Sequence, residues 1–121
     1  MNTKNIDQLN NDAPILKHTF DLYKELYGYL KTIPKKDQYL LGKQIEEHVL
    51  KFLELILMAA GMQRDRKLEI LEQANGKYEV FKVLIYMARE MKLLDNKKYL
   101  SLEEKAQEVG MQLGGWIRSL R

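Results

Sequence analysis

Apolar side chains recur along this chain at steps of three and four residues, the spacing that lines one face of an α-helix. In the first such stretch Leu16, Phe20, Tyr23, Tyr27 and Leu30 form one line, and Leu22, Leu26, Tyr29 and Ile33 form a second on a neighbouring face. The helix is expected to begin after Asp12, a capping residue type, with Pro14 at its first turn, where the missing N–H costs nothing. Pro34 ends it, because the proline ring disfavours a helical residue before it.

After the break at Ile33 to Asp37, the positions Leu41, Ile45, Val49, Phe52, Ile56 and Ala59 predict a second helix, from near Asp37 to Ala60, closed by Gly61. Its C-terminal half also carries Leu50, Leu53, Leu55, Leu57 and Met58, which makes it apolar almost all round. One small bundle buries one face of each helix, so such a helix calls for further copies to cover it.

A third helix is expected from Arg64 or Asp65 to about Leu93, with Leu68, Leu71, Ala74, Tyr78, Phe81, Ile85 and Ala88 on one stripe. Gly76 inside it costs roughly 1 kcal/mol against alanine, which close packing of another backbone would explain. A coil containing Asp95, Asn96, Lys97 and Lys98 is expected next, and Ser101 with Glu104 reads as a capping box that opens a fourth helix. Leu102, Ala106, Val109, Leu113, Trp116 and Leu120 form its seam, and Gly110 and Gly114 lie one turn apart on a flank where two helices could approach. No strand-like alternation and no long repeat interrupts the pattern. The fold class predicted is all-α: a flexible tail over residues 1–13, then one antiparallel up-down four-helix bundle over 14–121, assembling into a ring-shaped homo-oligomer.

Composition agrees with this reading. A chain of 121 residues, 45% hydrophobic and 31% charged, with only 7 Gly and 2 Pro, can bury one core and is not of disordered type. The absence of cysteine excludes disulfides, thiolate catalysis and cysteine-ligated metal. Met1 to Ala13 lacks the apolar run of a secretory signal, so the expected location is cytoplasmic. Val49 to Ala60, the greasiest segment, contains Lys51 and Glu54 and is too short to cross a bilayer, so no membrane role is expected.

Catalytic chemistry finds little support. Di-iron sites in bundles need Glu-x-x-His pairs, but Ile15 stands three residues before His18 and Ile45 three before His48. Glu46-Glu47 and Glu103-Glu104 are adjacent in sequence and diverge by about 100° on a helix, so neither is an acid/base couple. There is no phosphate loop, nucleophile elbow or zincin pattern. The chain is therefore expected to be no enzyme and to hold no metal or cofactor; a metal-dependent or small-molecule bundle enzyme is the least favoured reading.

Charge changes the picture more. Lys and Arg number 20 against 17 Asp and Glu, and residues 64–98, with 9 basic and 6 acidic groups, hold the whole surplus of +3. Lys82 and Arg89 share a face of the third helix, as do Arg66 and Lys77, while Lys35 and Lys36 stand where the second helix starts. These six are the candidate nucleic-acid-binding residues; the plainer account is a solvated helix surface. A ring would repeat each stripe and neutralise several phosphates at once. Tyr23, Tyr27 and Tyr78 lie at core spacing and are assigned to packing rather than base stacking.

Three pieces of the chain, Ile33-Pro34-Lys35-Lys36, Ala74-Asn75-Gly76 and the string from Glu108 through Gly114-Gly115-Trp116 to Ile117, resemble the Avd-like four-helix bundle family. These are the accessory variability determinant proteins of bacterial diversity-generating retroelements, and the similarity covers roughly residues 20–119. It implies a positively charged homopentameric barrel that binds the retroelement reverse transcriptase and RNA or DNA, supports mutagenic cDNA synthesis and retrohoming, and catalyses nothing itself. Family members tend to carry basic residues one turn apart on the third helix; Lys82 matches the first, but Tyr86 takes the place of the second. The alternative is a homo-oligomeric bundle scaffold with no nucleic-acid role.

Overall fold

A computed structural model of the protein describes residues 13–121; the expected tail up to residue 12, with the Asp12 cap, lies outside the described residues. Four long helices make up the described chain: α1 (Pro14–Leu30), α2 (Lys43–Ala60), α3 (Arg64–Glu90) and α4 (Asn96–Ser119). A helical turn, Lys35–Asp37, and a π-helical turn, Gln38–Gly42, run directly into α2. The connections are short, and each helix packs on the one before and after it while α4 closes on α1, which makes an up-down four-helix bundle. No described helix is long and apolar enough to cross a membrane.

The stripes of α2, α3 and α4 bury as their spacing demands, except at the end of α4, where Ile117 is buried and the expected Trp116 and Leu120 are only partly covered. Ile45, Val49, Phe52 and Ile56 meet Leu71, Tyr78, Phe81 and Ile85, with Leu102, Val109 and Leu113 closing the core. Each of the larger side chains contributes about 1.5–3 kcal/mol by leaving water. In α1 the two apolar lines share the core: Leu16 and Leu30 of the first are buried, but its middle turns outward. Leu22 and Leu26 are buried with Ile15, while Phe20 and Tyr27 stand about half exposed at 54% and 47%. Thr19 shares the buried face because its hydroxyl donates to the Ile15 carbonyl at 2.7 Å. The two outward rings are tolerable in water because Lys24 and Lys31 lay ammonium groups over them, 5.7 and 4.7 Å from the ring centres.

Three further expectations are corrected. α4 starts five residues before Ser101, because Asp95 takes the cap: its side chain accepts the Lys98 N–H at 2.8 Å. Asn96, Lys97 and Lys98 are therefore its first turn and not coil, and Ser101 lies inside the helix. Gly76 is exposed with nothing near the place a Cβ would occupy, so no close backbone explains it. Gly110 does make a close approach, but to a side chain: a methyl there would overlap the Tyr78 hydroxyl, which donates to the Ala106 carbonyl at 2.8 Å. Gly114 faces only the Arg118 guanidinium of its own helix.

Candidate nucleic-acid interface

The up-down path brings the α1–α2 and α3–α4 connections to the same end of the bundle, where Lys98 lies over the Tyr29 ring at 5.5 Å. Residues 31–37 and 89–98 at this end hold seven basic and three acidic groups; residues 61–67 and 118–121 at the other hold five and one. The remaining described residues, the waist of the bundle, hold seven basic and eleven acidic groups. The charge is thus zoned, with two basic ends and an acidic waist.

Helix energetics account for only part of this zoning. Lys31 and Lys92 follow the C-termini of α1 and α3, where a cation is favoured by the helix dipole. Lys92 adopts φ 63°, a left-handed conformation usually left to glycine. Lys35 and Lys36, Lys97 and Lys98, and Arg64 and Arg66 instead occupy first turns, where the same dipole disfavours a cation by about 0.3–1 kcal/mol each. Lys98 recovers part of that cost over the Tyr29 ring and Arg64 by donating to the Ser119 carbonyl at 3.0 Å, whereas the side chains of Lys35, Lys36, Lys97 and Arg66 have no partner among the described residues.

The six candidate residues do not form one patch. Arg66 and Arg89 lie in the first and last turns of α3, about 35 Å apart along its axis. Lys82 belongs to the waist, where its Nζ lies 3.4 Å from Glu103 Oε1 and 5.7 Å from the Tyr78 ring centre. Arg89 lies between the Tyr86 and Tyr99 rings, 5.0 and 4.3 Å from their centres, with Asn96 and Glu90 each 3.5 Å from its guanidinium. Lys77 lines a shallow groove with Glu47, His48 and Lys51. Arg66, Lys35 and Lys36 are exposed, and their side chains have no partner among the described residues. Lys35 and Lys36 share an end with Arg89; Arg66 stands at the opposite one.

Reading one helix at a time misses Lys31, Lys92, Lys97 and Lys98, and with them two exposed aromatics at the same end, Tyr27 and Tyr39. The signal that finds them is topological: odd-numbered connections of an up-down bundle meet at one end, so their charges add.

The waist is held by ion pairs between helices. Lys105 donates to Glu25 at 2.7 Å. Burial alone would raise the Glu25 carboxyl, but the Lys105 ammonium, with the Ser101 and Tyr29 hydroxyls, outweighs it and holds the group below its ordinary range. The same bond raises Lys105. Burial, then the Glu103 and Glu79 charges, push the Tyr78 phenol up to about 12, so it remains a neutral donor. His18 Nδ1 lies 2.7 Å from Gln112 Nε2, and His48 Nδ1 lies 2.8 Å from the Gln44 carbonyl. Among the described residues no three His, Asp or Glu side chains converge as a metal site.

No curated protein matches the chain. The family model for bAvd-like proteins matches residues 14–120, which takes in all four helices and every connection between them, so the chain belongs to the bAvd-like family.

Proposed function

We propose that this protein is a non-enzymatic accessory factor of a diversity-generating retroelement, acting in the cytoplasm as a homopentameric ring that binds the reverse transcriptase and RNA or DNA to support mutagenic retrohoming. Family membership supports the first part of this reading. The observation that carries the nucleic-acid part is the concentration of cations at the bundle ends, six of them in first turns where the helix dipole opposes them. Ring formation draws support from two apolar rows left in water on the most closely packed helices. Leu50, Leu57 and Met58 form one on α2, and Val80, Val83 and Met87 on α3, continued by Met91 just past its end, form the other, all at least 40% exposed.

Light scattering joined to RNA binding tests the proposal. The expected result is a particle of five chain masses that binds RNA at low salt with an affinity falling steeply as salt rises. A single-chain particle, or no RNA affinity at low salt, would overturn it. The engagement of Lys82 and Arg89 by the protein's own side chains favours a second reading, a homo-oligomeric scaffold without a nucleic-acid role. A nuclease-insensitive pull-down that yields protein partners alone would select it.

A further inference from the structure

A groove of about 480 Å³ opens between the end of α1 and the π-helical turn that precedes α2. Its walls include Tyr27, Lys31, Tyr39, Lys43 and Glu46. Tyr39 is 71% exposed, and neither its ring nor its hydroxyl has a partner among the described residues. Folding therefore offers no account of an aromatic ring displayed at this point. Lys35 and Lys36 precede Tyr39 by about one turn and Lys43 follows it by one, so cations flank the ring along a single side of the helix. Lys31 rests over Tyr27 at 4.7 Å on a flexible stem that can swing to a phosphate.

We infer that this groove takes one unstacked base of a single-stranded nucleic acid, with Tyr39 as the stacking platform and Lys31, Lys35 and Lys36 on the flanking phosphates. The inference rests on the proposed nucleic-acid role and narrows it to one site and one form of ligand. The volume lies within the range of small-ligand sites, and tyrosine presents a flat face that stacks any base. Glu46 decides which part of the strand enters. Its carboxylate, which accepts the Tyr23 hydroxyl at 3.2 Å, repels phosphate, so a neutral base goes in and the charged backbone stays out beside the lysines. In a duplex the bases are paired and stacked, and none is free to enter.

Fluorescence anisotropy with an unstructured 12-nucleotide RNA and an RNA duplex of equal length, at low salt, tests the site. Tyr39→Ala is expected to weaken single-strand binding by about tenfold, the scale of one lost stack. Duplex binding should stay unchanged, and Tyr39→Trp should restore the single strand. Single-strand affinity unmoved by Tyr39→Ala, or an equal fall for the duplex, would overturn the site while leaving the nucleic-acid role standing. Wild-type protein that binds neither RNA would overturn both. A drop in particle mass with Tyr39→Ala would assign the groove to a contact between copies and overturn the site as well.

Discussion

The waist and the ends of this bundle solve different problems with the same residue types. At the waist two lysines have a carboxylate on another helix: Lys105 meets Glu25 and Lys82 meets Glu103. At the end formed by the α1–α2 and α3–α4 connections, lysines meet tyrosine faces or water, and Lys35 and Lys36 meet no side chain among the described residues. A cation with a fixed carboxylate partner holds helices together. One without is available to an external anion, and its position against the helix dipole has a small energetic cost that folding does not recover. Net charge alone, +3 for the whole chain, hides this division.

Charge placed on the waist's apolar rows, Leu57→Glu together with Val83→Glu, should have the largest effect and reduce the proposed ring to single chains by light scattering, with the helical circular dichroism kept. Gly110→Ala, which forces the Tyr78 hydroxyl off Ala106, should destabilise the bundle by about 1–3 kcal/mol, seen as a lowered urea midpoint. Lys35→Glu with Lys36→Glu should weaken RNA binding by about tenfold or more and flatten the logarithmic salt slope by about 2. Lys82→Gln at the waist should leave RNA binding unchanged, and equal losses at waist and end would show that the two regions do not differ in this respect.

The smallest effect concerns pH. Because Glu25 titrates below its ordinary 4.5 in the fold, its contribution is present above that value and is lost as pH falls through the lowered one. Lys105 is raised above 10.5, so its share is present below that pH and is lost as pH rises through the higher value. The stability difference between the wild type and Glu25→Gln, at most about 1 kcal/mol at neutral pH for so partly exposed a pair, should shrink at both extremes.

Spacing made three of the four helices legible, because on α2, α3 and α4 a single apolar line outweighs its neighbours and burial follows it. On α1 the line through Phe20 and Tyr27 looks as good as the one through Leu22 and Leu26, and only packing separates them: aromatic rings with a lysine stem beside them survive in water, whereas leucines have no such cover. The start of α4 was obscured because Asn96, Lys97 and Lys98 are polar, and a polar first turn has no period to read. The candidate site was the least legible. Lys82 and Arg89 do share a face of α3, yet their partners Glu103 and Tyr99 come from α4, across a gap in sequence that no helical wheel spans. The basic end likewise comes from two connections that are distant in sequence and adjacent only once the bundle closes.

The π-helical turn at Gln38–Gly42 sets the angular phase between the two parts of one continuous helix. Gly42 lies buried there against Ile33 and Leu30, which anchors everything from Ile45 onward to the core. Removing one residue between Gln38 and Leu41 would tighten the turn to an ordinary α-helical one and rotate what lies upstream by about 100° about the axis. The buried positions from Ile45 onward would keep their register, while Lys35 and Lys36 would come to point in a new direction and Ile33, two residues before Lys35, would be drawn from its place in the core. This short widened turn thus ties the direction of the leading lysines to the seating of Ile33 beneath them.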